Sequence, residues 1–177
     1  DTTSHIVTVS PLPTATVAGT VTVCQNGTAP LISFTGAVGT APYTFTYTIN
    51  GGAPLTVTST GNTATVSAPT ATPGTFTYSL VSVQDASPAS CSQPQTGSAI
   101  VTVNPLPTAT ISGSNTVCEN ATSPFITFTG AVGTAPYTFS YSINGGPALT
   151  VTTTSCNTVI VPAPTGTPGT FVYTLLN

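Results

Sequence analysis

Phe34-Thr-Gly-Ala-Val-Gly-Thr-Ala-Pro-Tyr-Thr-Phe-Thr-Tyr-Thr-Ile-Asn-Gly-Gly52 decides how the rest of the chain is read. It returns as Phe128 to Gly146, at an offset of 128 − 34 = 94, with serine for threonine at positions 140 and 142 as the only changes. Within it Tyr43, Phe45, Tyr47 and Ile49 alternate with Thr44, Thr46 and Thr48, which gives a strand one apolar face and one hydroxylated face. Asn50-Gly51 then supplies the two positive-φ positions of a type I′ turn, and a second extended run follows at 55–58. The stretch is an antiparallel hairpin, written twice.

Outward from the hairpin, short extended runs are expected at 14–18, 21–24, 31–35, 43–50, 55–58, 63–67, 75–83 and 98–103. Turn residues separate them: Asn26-Gly27, Gly36 to Gly39, Gly61-Asn62, Pro73-Gly74 and the Ser/Pro/Gln-rich segment 86–97. The spacing, the 17 prolines and the 16 glycines leave no room for helical periodicity. The fold class is all-β, with two tandem immunoglobulin-like antiparallel sandwiches.

The repeat also fixes domain limits. Residues 105–177 repeat the plan of 11–104, with one residue inserted near Cys156, so that Phe171 answers Phe76 at 171 − 76 = 95. The counterparts of 82–103, the final strand included, do not follow. At the other end, His5-Ile-Val-Thr-Val9 with Pro11-Leu-Pro13 repeats Ala99-Ile-Val-Thr-Val103 with Pro105-Leu-Pro107, again 94 apart. Residues 1–10 therefore read as the last strand of a preceding or neighbouring unit, joined by a stiff proline linker. Either the sequence is a window on a longer tandem array, or Ile6, Val7, Thr8 and Val9 act as a donor strand for another subunit. An unpaired sheet edge is a template for such pairing, and a head-to-tail contact propagates as an open polymer.

Composition removes whole classes of function. There is no Lys and no Arg, and charged residues make up 2% of the chain against roughly 25% in average soluble proteins. Nucleic-acid binding and docking on anionic membranes lack the cations they need. Lysine-based crosslinking is impossible, and trypsin has nowhere to cut. No apolar run approaches the ~18 residues of a spanning helix, so no membrane insertion is expected. No basic-plus-apolar leader is present, so any export signal is expected to have been removed. These features place the chain outside the cell.

Cys24, Cys91, Cys118 and Cys156 are an even set in an extracellular-type chain, where disulfides are the default. Cys24 and Cys91 belong to the complete unit and are expected to pair. Their loop of 91 − 24 = 67 residues is worth on the order of 4 kcal/mol in the chain-entropy model. Cys118 answers Cys24, and the counterpart of Cys91 does not follow; either Cys156 takes that place, or Cys156 stays unpaired or bonds to another chain. Zinc is not expected, because the cysteines lack ligand spacing and His5 is the single histidine. His5, Asp85 and Glu119 are too few and too scattered for a catalytic triad or a carboxylate pair, so no enzyme activity and no cofactor are expected. Asn26 and Asn120 begin glycosylation sequons at equivalent positions. The aromatics that alternate with threonine read as core, and the threonines as solvent-facing strand positions.

Pro-Leu-Pro-Thr-Ala-Thr, Val-Cys-Gln-Asn or Val-Cys-Glu-Asn, Ala-Pro-Tyr-Thr-Phe and Cys91-Ser-Gln-Pro-Gln-Thr-Gly-Ser-Ala-Ile-Val-Thr-Val-Asn-Pro-Leu-Pro107 form a distinctive series. It resembles the tandem immunoglobulin-like (PKD-like) repeats of very large secreted surface proteins of Bacteroidetes, flavobacteria especially, such as the gliding-motility adhesins of the SprB type. The resemblance implies stalk or filament segments, exported by the type IX system. It also makes Thr2, within Asp1-Thr2-Thr3, a candidate O-glycosylation site. The expected function is a structural subunit or repeat segment of an extracellular filament, whose partners are copies of itself. The alternative is a carbohydrate- or surface-binding accessory module, which an exposed aromatic row would favour.

Overall fold

The structure is a computed structural model that describes residues 4–176; strands and turns account for all its regular elements among those residues. It divides into two compact units, Asp1–Pro105 and Leu106–Asn177.

Among its described residues the first unit holds nine strands. β1 (Thr14–Ala18), β3 (Leu31–Ala37) and β6 (Thr63–Ser67) form one antiparallel sheet in the order β1-β3-β6. The second sheet runs β2-β9-β7-β4-β5, built from β2 (Val21–Cys24), β4 (Thr44–Ile49), β5 (Leu55–Thr58), β7 (Gly74–Gln84) and β9 (Ser98–Asn104). A short β8 (Ser92–Pro94) pairs with the far end of β7. All pairings are antiparallel except β2 with β9, which is parallel and aligns Val21 with Val101 and Cys24 with Asn104.

The hairpin forms as its residues dictate. Asn50 and Gly51 take φ of 52° and 70°, and the Gly52 amide donates to the Ile49 carbonyl at 2.9 Å. That handedness matches the twist of the flanking strands. β4 pairs with β5 on one side and β7 on the other, with a bulge between Thr46 and Tyr47. Its alternation puts Phe45 and Tyr47 in the core. Phe34, from the opposite sheet, packs with ring centroids 5.8 Å from Phe45 and 4.9 Å from Tyr47. Ile32, Tyr78, Val83 and Val101 close the core around them, each fully buried.

The second unit keeps part of this plan. β10 (Thr108–Ser112), β11 (Phe125–Ala131) and β14 (Thr158–Pro162) form one sheet. The other sheet, in the order β13-β12-β15, contains β12 (Thr138–Ile143), β13 (Leu149–Thr152) and β15 (Tyr173–Leu175). Phe128 takes the place of Phe34, 5.7 Å from Phe139 and 5.0 Å from Tyr141.

Three local expectations need correction. Gly36 is no turn residue: it pairs with Ala15 inside β3, and the Tyr43 ring lies flat against it. A methyl added there would sit 2.5 Å from Tyr43 Cγ, and Gly130 stands in the same relation to Tyr137, also at 2.5 Å. Glycine is needed for the close approach. The loop 86–97 contains β8, because Ser82, Val83 and Gln84 have an open edge there that Pro94, Gln93 and Ser92 occupy. Residues 115–118, the counterpart of β2, form no strand.

Candidate functional site

That last difference leads to the site. In the first unit β9 lies between β2 and the first half of β7, with Val101 aligned to Val21 on one side and Phe76 on the other. Its inward side chains Ala99, Val101 and Val103 are 0–2% exposed. In the second unit the two neighbours of that position, residues 115–118 and 169–173, line a groove of about 630 Å³. Ile111, Ile126 and Tyr173 form part of its floor. Gly74 to Thr77 owe their strand pairing mainly to β9, and their counterparts, residues 169–172, are not strand. The neighbours on both sides therefore lose their hydrogen-bonding partner together, as backbone accounting demands.

Exposure records the same difference. Tyr78 is fully buried opposite Ala99, whereas its counterpart Tyr173 is half-buried. Ile32 is fully buried and Ile126 half-buried; Val117 is 42% exposed and Val172 55% exposed. Burial pushes the Tyr78 hydroxyl's pKa up, with a smaller contribution from Tyr47, and Tyr173 shifts the same way through burial and then Tyr141. Tyr78 Oη is buried without a hydrogen-bond partner.

The candidate donor residues are placed in the open. Ile6, Val7 and Val9 are 88%, 86% and 87% exposed, and residues 4–10 belong to no strand. Thr8 is exposed among them. Asn26 and Asn120 are exposed turn residues in left-handed backbone, φ 60° and 59°, their amides donating to the carbonyls of Thr70 and Thr165. Thr2 lies outside the described residues.

The structure does not bring the expected cysteine pairs together, and it forms no disulfide among Cys24, Cys91, Cys118 and Cys156. Cys24 is aligned with Asn104, one residue past the pairing of Val103 with Gly74 at the start of β7. The Cys91 carbonyl accepts from the Asp85 amide, just past the other end of β7. The 11 residues of β7 separate them, roughly 35 Å at ~3.3 Å per residue, where a disulfide needs Cα atoms within about 7 Å. Cys118 and Cys156 are kept apart in the same way. Asn120, two residues beyond Cys118, bonds to Thr165 past the end of β14, and Cys156 precedes its start. Sequence separation and repeat position gave no warning, because strand length sets the distance.

The acids and histidine are not brought together. Asp85 is 5% exposed and accepts from the Thr40 amide at 3.0 Å and the Ser87 hydroxyl at 2.8 Å. The Thr40 amide is the main reason its carboxyl is held below the usual carboxylate range. Burial opposes that, and the Ser87 hydroxyl and the Ser87 and Cys91 backbones add to the lowering. Asp85 thus pins the 38–42 loop to the end of β7. Among the described residues no three His, Cys, Asp or Glu side chains are grouped so as to hold a metal. Of the aromatics that could make a sugar platform, Tyr43, Phe45, Tyr47 and Tyr78 are at most 6% exposed and Phe76 is half-buried.

No family model and no curated protein matches the chain. Solved structures do. One, from work on host cell surface retention of a 1.5-MDa bacterial ice-binding adhesin, aligns with a TM-score of 0.50 at 14% identity, over 89% of this chain and 55% of that one. Another, from a Ca2+-stabilized adhesin with which an Antarctic bacterium reaches out and binds ice, aligns with a TM-score of 0.52 at 18% identity, over 94% and 48%. The chain shares its all-β sandwich fold with these two adhesin structures. It spans about half the length of either solved structure.

Proposed function

We propose that this chain is a segment of an extracellular adhesin stalk or filament, in which sandwich units follow one another head to tail. The position that β9 holds in the first unit is filled in the second by donor-strand exchange or by continuous chain. The observation that carries this reading is the groove between residues 115–118 and 169–173, open where β9 is seated in the first unit. The adhesin-repeat fold and the absence of Lys and Arg support it. The repeat motifs favour a parent protein on the surface of one of the Bacteroidetes.

The first unit has a geometry suited to tension. β1 begins at Thr14, aligned with Ala37 beside the Asp85-pinned loop, and β9 ends at Asn104, past the opposite end of β7. The chain therefore arrives and departs at opposite ends. A pull along it loads the β1–β3 and β9–β7 hydrogen bonds across their length together, because those bonds run perpendicular to the strands. A surface without tryptic sites adds resistance to digestion.

Electron microscopy of native material, with denaturing and reducing gel electrophoresis, tests the reading. Fibres that dissociate to a band near 17.5 kDa indicate discrete subunits, and fibres that stay at very high mass indicate a continuous array. Isolated globular particles would refute a stalk or filament.

A further inference from the structure

Within residues 4–176 the second unit's counterpart of the β9 position is open, and residues 4–10 belong to no strand. Residues 6–9 repeat Ile100-Val-Thr-Val103 of β9, the element that fills the equivalent position in the first unit. Their apolar side chains are almost wholly exposed, and the first unit already holds its own β9 between β2 and β7. The segment has the residue pattern of the strand that fills the equivalent position in the first unit. An alternating strand placed in such a gap satisfies the backbone on both sides and buries every second side chain.

We propose that residues 5–10 of a second copy of this chain fill the groove of the second unit in one register. This rests on the head-to-tail reading above and specifies its partner. The register follows from the first unit. Val101 aligns with Val21 and Phe76, so Val7 (101 − 94) aligns with Asn115 (21 + 94) and Phe171 (76 + 95). Val103 aligns with Val23 and Gly74, so Val9 sits between Val117 and Gly169. Cys24 aligns with Asn104, which places Ser10 directly beside Cys118. The incoming strand runs parallel to 115–118 and antiparallel to 169–173. Residues 115–118 become strand as it arrives, since their counterpart β2 owes its strand pairing to β9 alone. His5 takes the position of Ala99, opposite Tyr173, and is the one side chain in which residues 5–9 differ from the strand they replace. A slip of one residue would turn Val7 and Val9 outward and put Thr8 in the core, so the register is sharply specified. Groove and strand are different segments, so the contact is heterologous rather than a self-complementary two-fold one.

Cys118 makes the register measurable. In the full chain with Cys24, Cys91 and Cys156 changed to Ser, Ser10→Cys places two thiols on directly opposed residues, within disulfide reach. Mild oxidation with copper–phenanthroline, followed by non-reducing electrophoresis, should give a ladder in steps of one chain. The ladder should vanish in Cys118→Ser and under reduction, and Thr8→Cys should give none. A ladder from Thr8→Cys in place of Ser10→Cys would overturn the register. A linked product that stays at the mass of one chain would overturn the second copy, because the chain's own strand would then fill its groove. Fibres that persist by microscopy without any linkage from either position would overturn the inference yet leave the head-to-tail array standing, its groove filled by continuous chain. Absence of both linkage and fibres would remove both.

Discussion

Val101 and Val7 occupy the same place in the repeat, one seated and one not, and mutating each to alanine separates folding from assembly. Val101 is fully buried between β2 and β7, whereas Val7 is 86% exposed. Val101→Ala removes two methyl groups' worth of buried apolar surface, about 0.8 kcal/mol each by transfer, and leaves a cavity that the two flanking strands cannot close. The sum is about 2–3 kcal/mol. For a unit of this size each 1 kcal/mol shifts Tm by about 4–8 °C, so calorimetry should show the first unit's transition lowered by roughly 10–20 °C. Val7→Ala should leave both transitions of the dissociated chain where they are. In sedimentation or light scattering it should weaken head-to-tail association by roughly 30- to 100-fold, the same 2–3 kcal/mol expressed between chains at 1.4 kcal/mol per tenfold. An unchanged first transition in Val101→Ala would refute the role of β9 as a core strand. A lowered transition in dissociated Val7→Ala would refute the exposed placement of residues 4–10.

Gly36→Ala and Gly130→Ala should each destabilise their own unit by about 1–3 kcal/mol, through the 2.5 Å approach to Tyr43 and Tyr137; Gly61→Ala, with nothing within 4 Å, should be near neutral by the same thermal melts. Asp85 confers pH dependence on the first unit. Its folded pKa lies below the unfolded value of about 4, so its stabilisation is present above that value and is lost as pH falls through the folded pKa. Acid titration followed by circular dichroism should show this loss, and Asp85→Asn should flatten it; an identical acid profile in the variant would refute the Thr40–Asp85 pin. All four thiols should react with a maleimide without prior reduction, Cys91 more slowly than the exposed Cys24, Cys118 and Cys156, and reductant should leave Tm unchanged. Two thiols per chain resistant to labelling until reduced would contradict the strand registers that hold the pairs apart.

The sequence by itself determined the elements. Alternating Tyr43, Phe45 and Tyr47 could face a core in only one way, and Asn50-Gly51 carried its turn geometry with it, because side-chain period and backbone handedness are local properties. The 94-residue offset showed from identity alone that residues 6–9 repeat 100–103 and that 105–177 follow the plan of 11–104. What the tertiary structure decided was everything that depends on distance across the sheets. Gly36 reads as a turn residue until Tyr43 is seen lying on it, because the reason for that glycine comes from another strand. Residues 115–118 look as much like a strand as 21–24 do, yet strand formation there needs a hydrogen-bonding neighbour that residues 4–176 leave unsupplied. The cysteines looked paired by count and by repeat position, and the length of β7 put them at opposite ends of a sheet. Local pattern writes the strands, but only their register sets which residues meet.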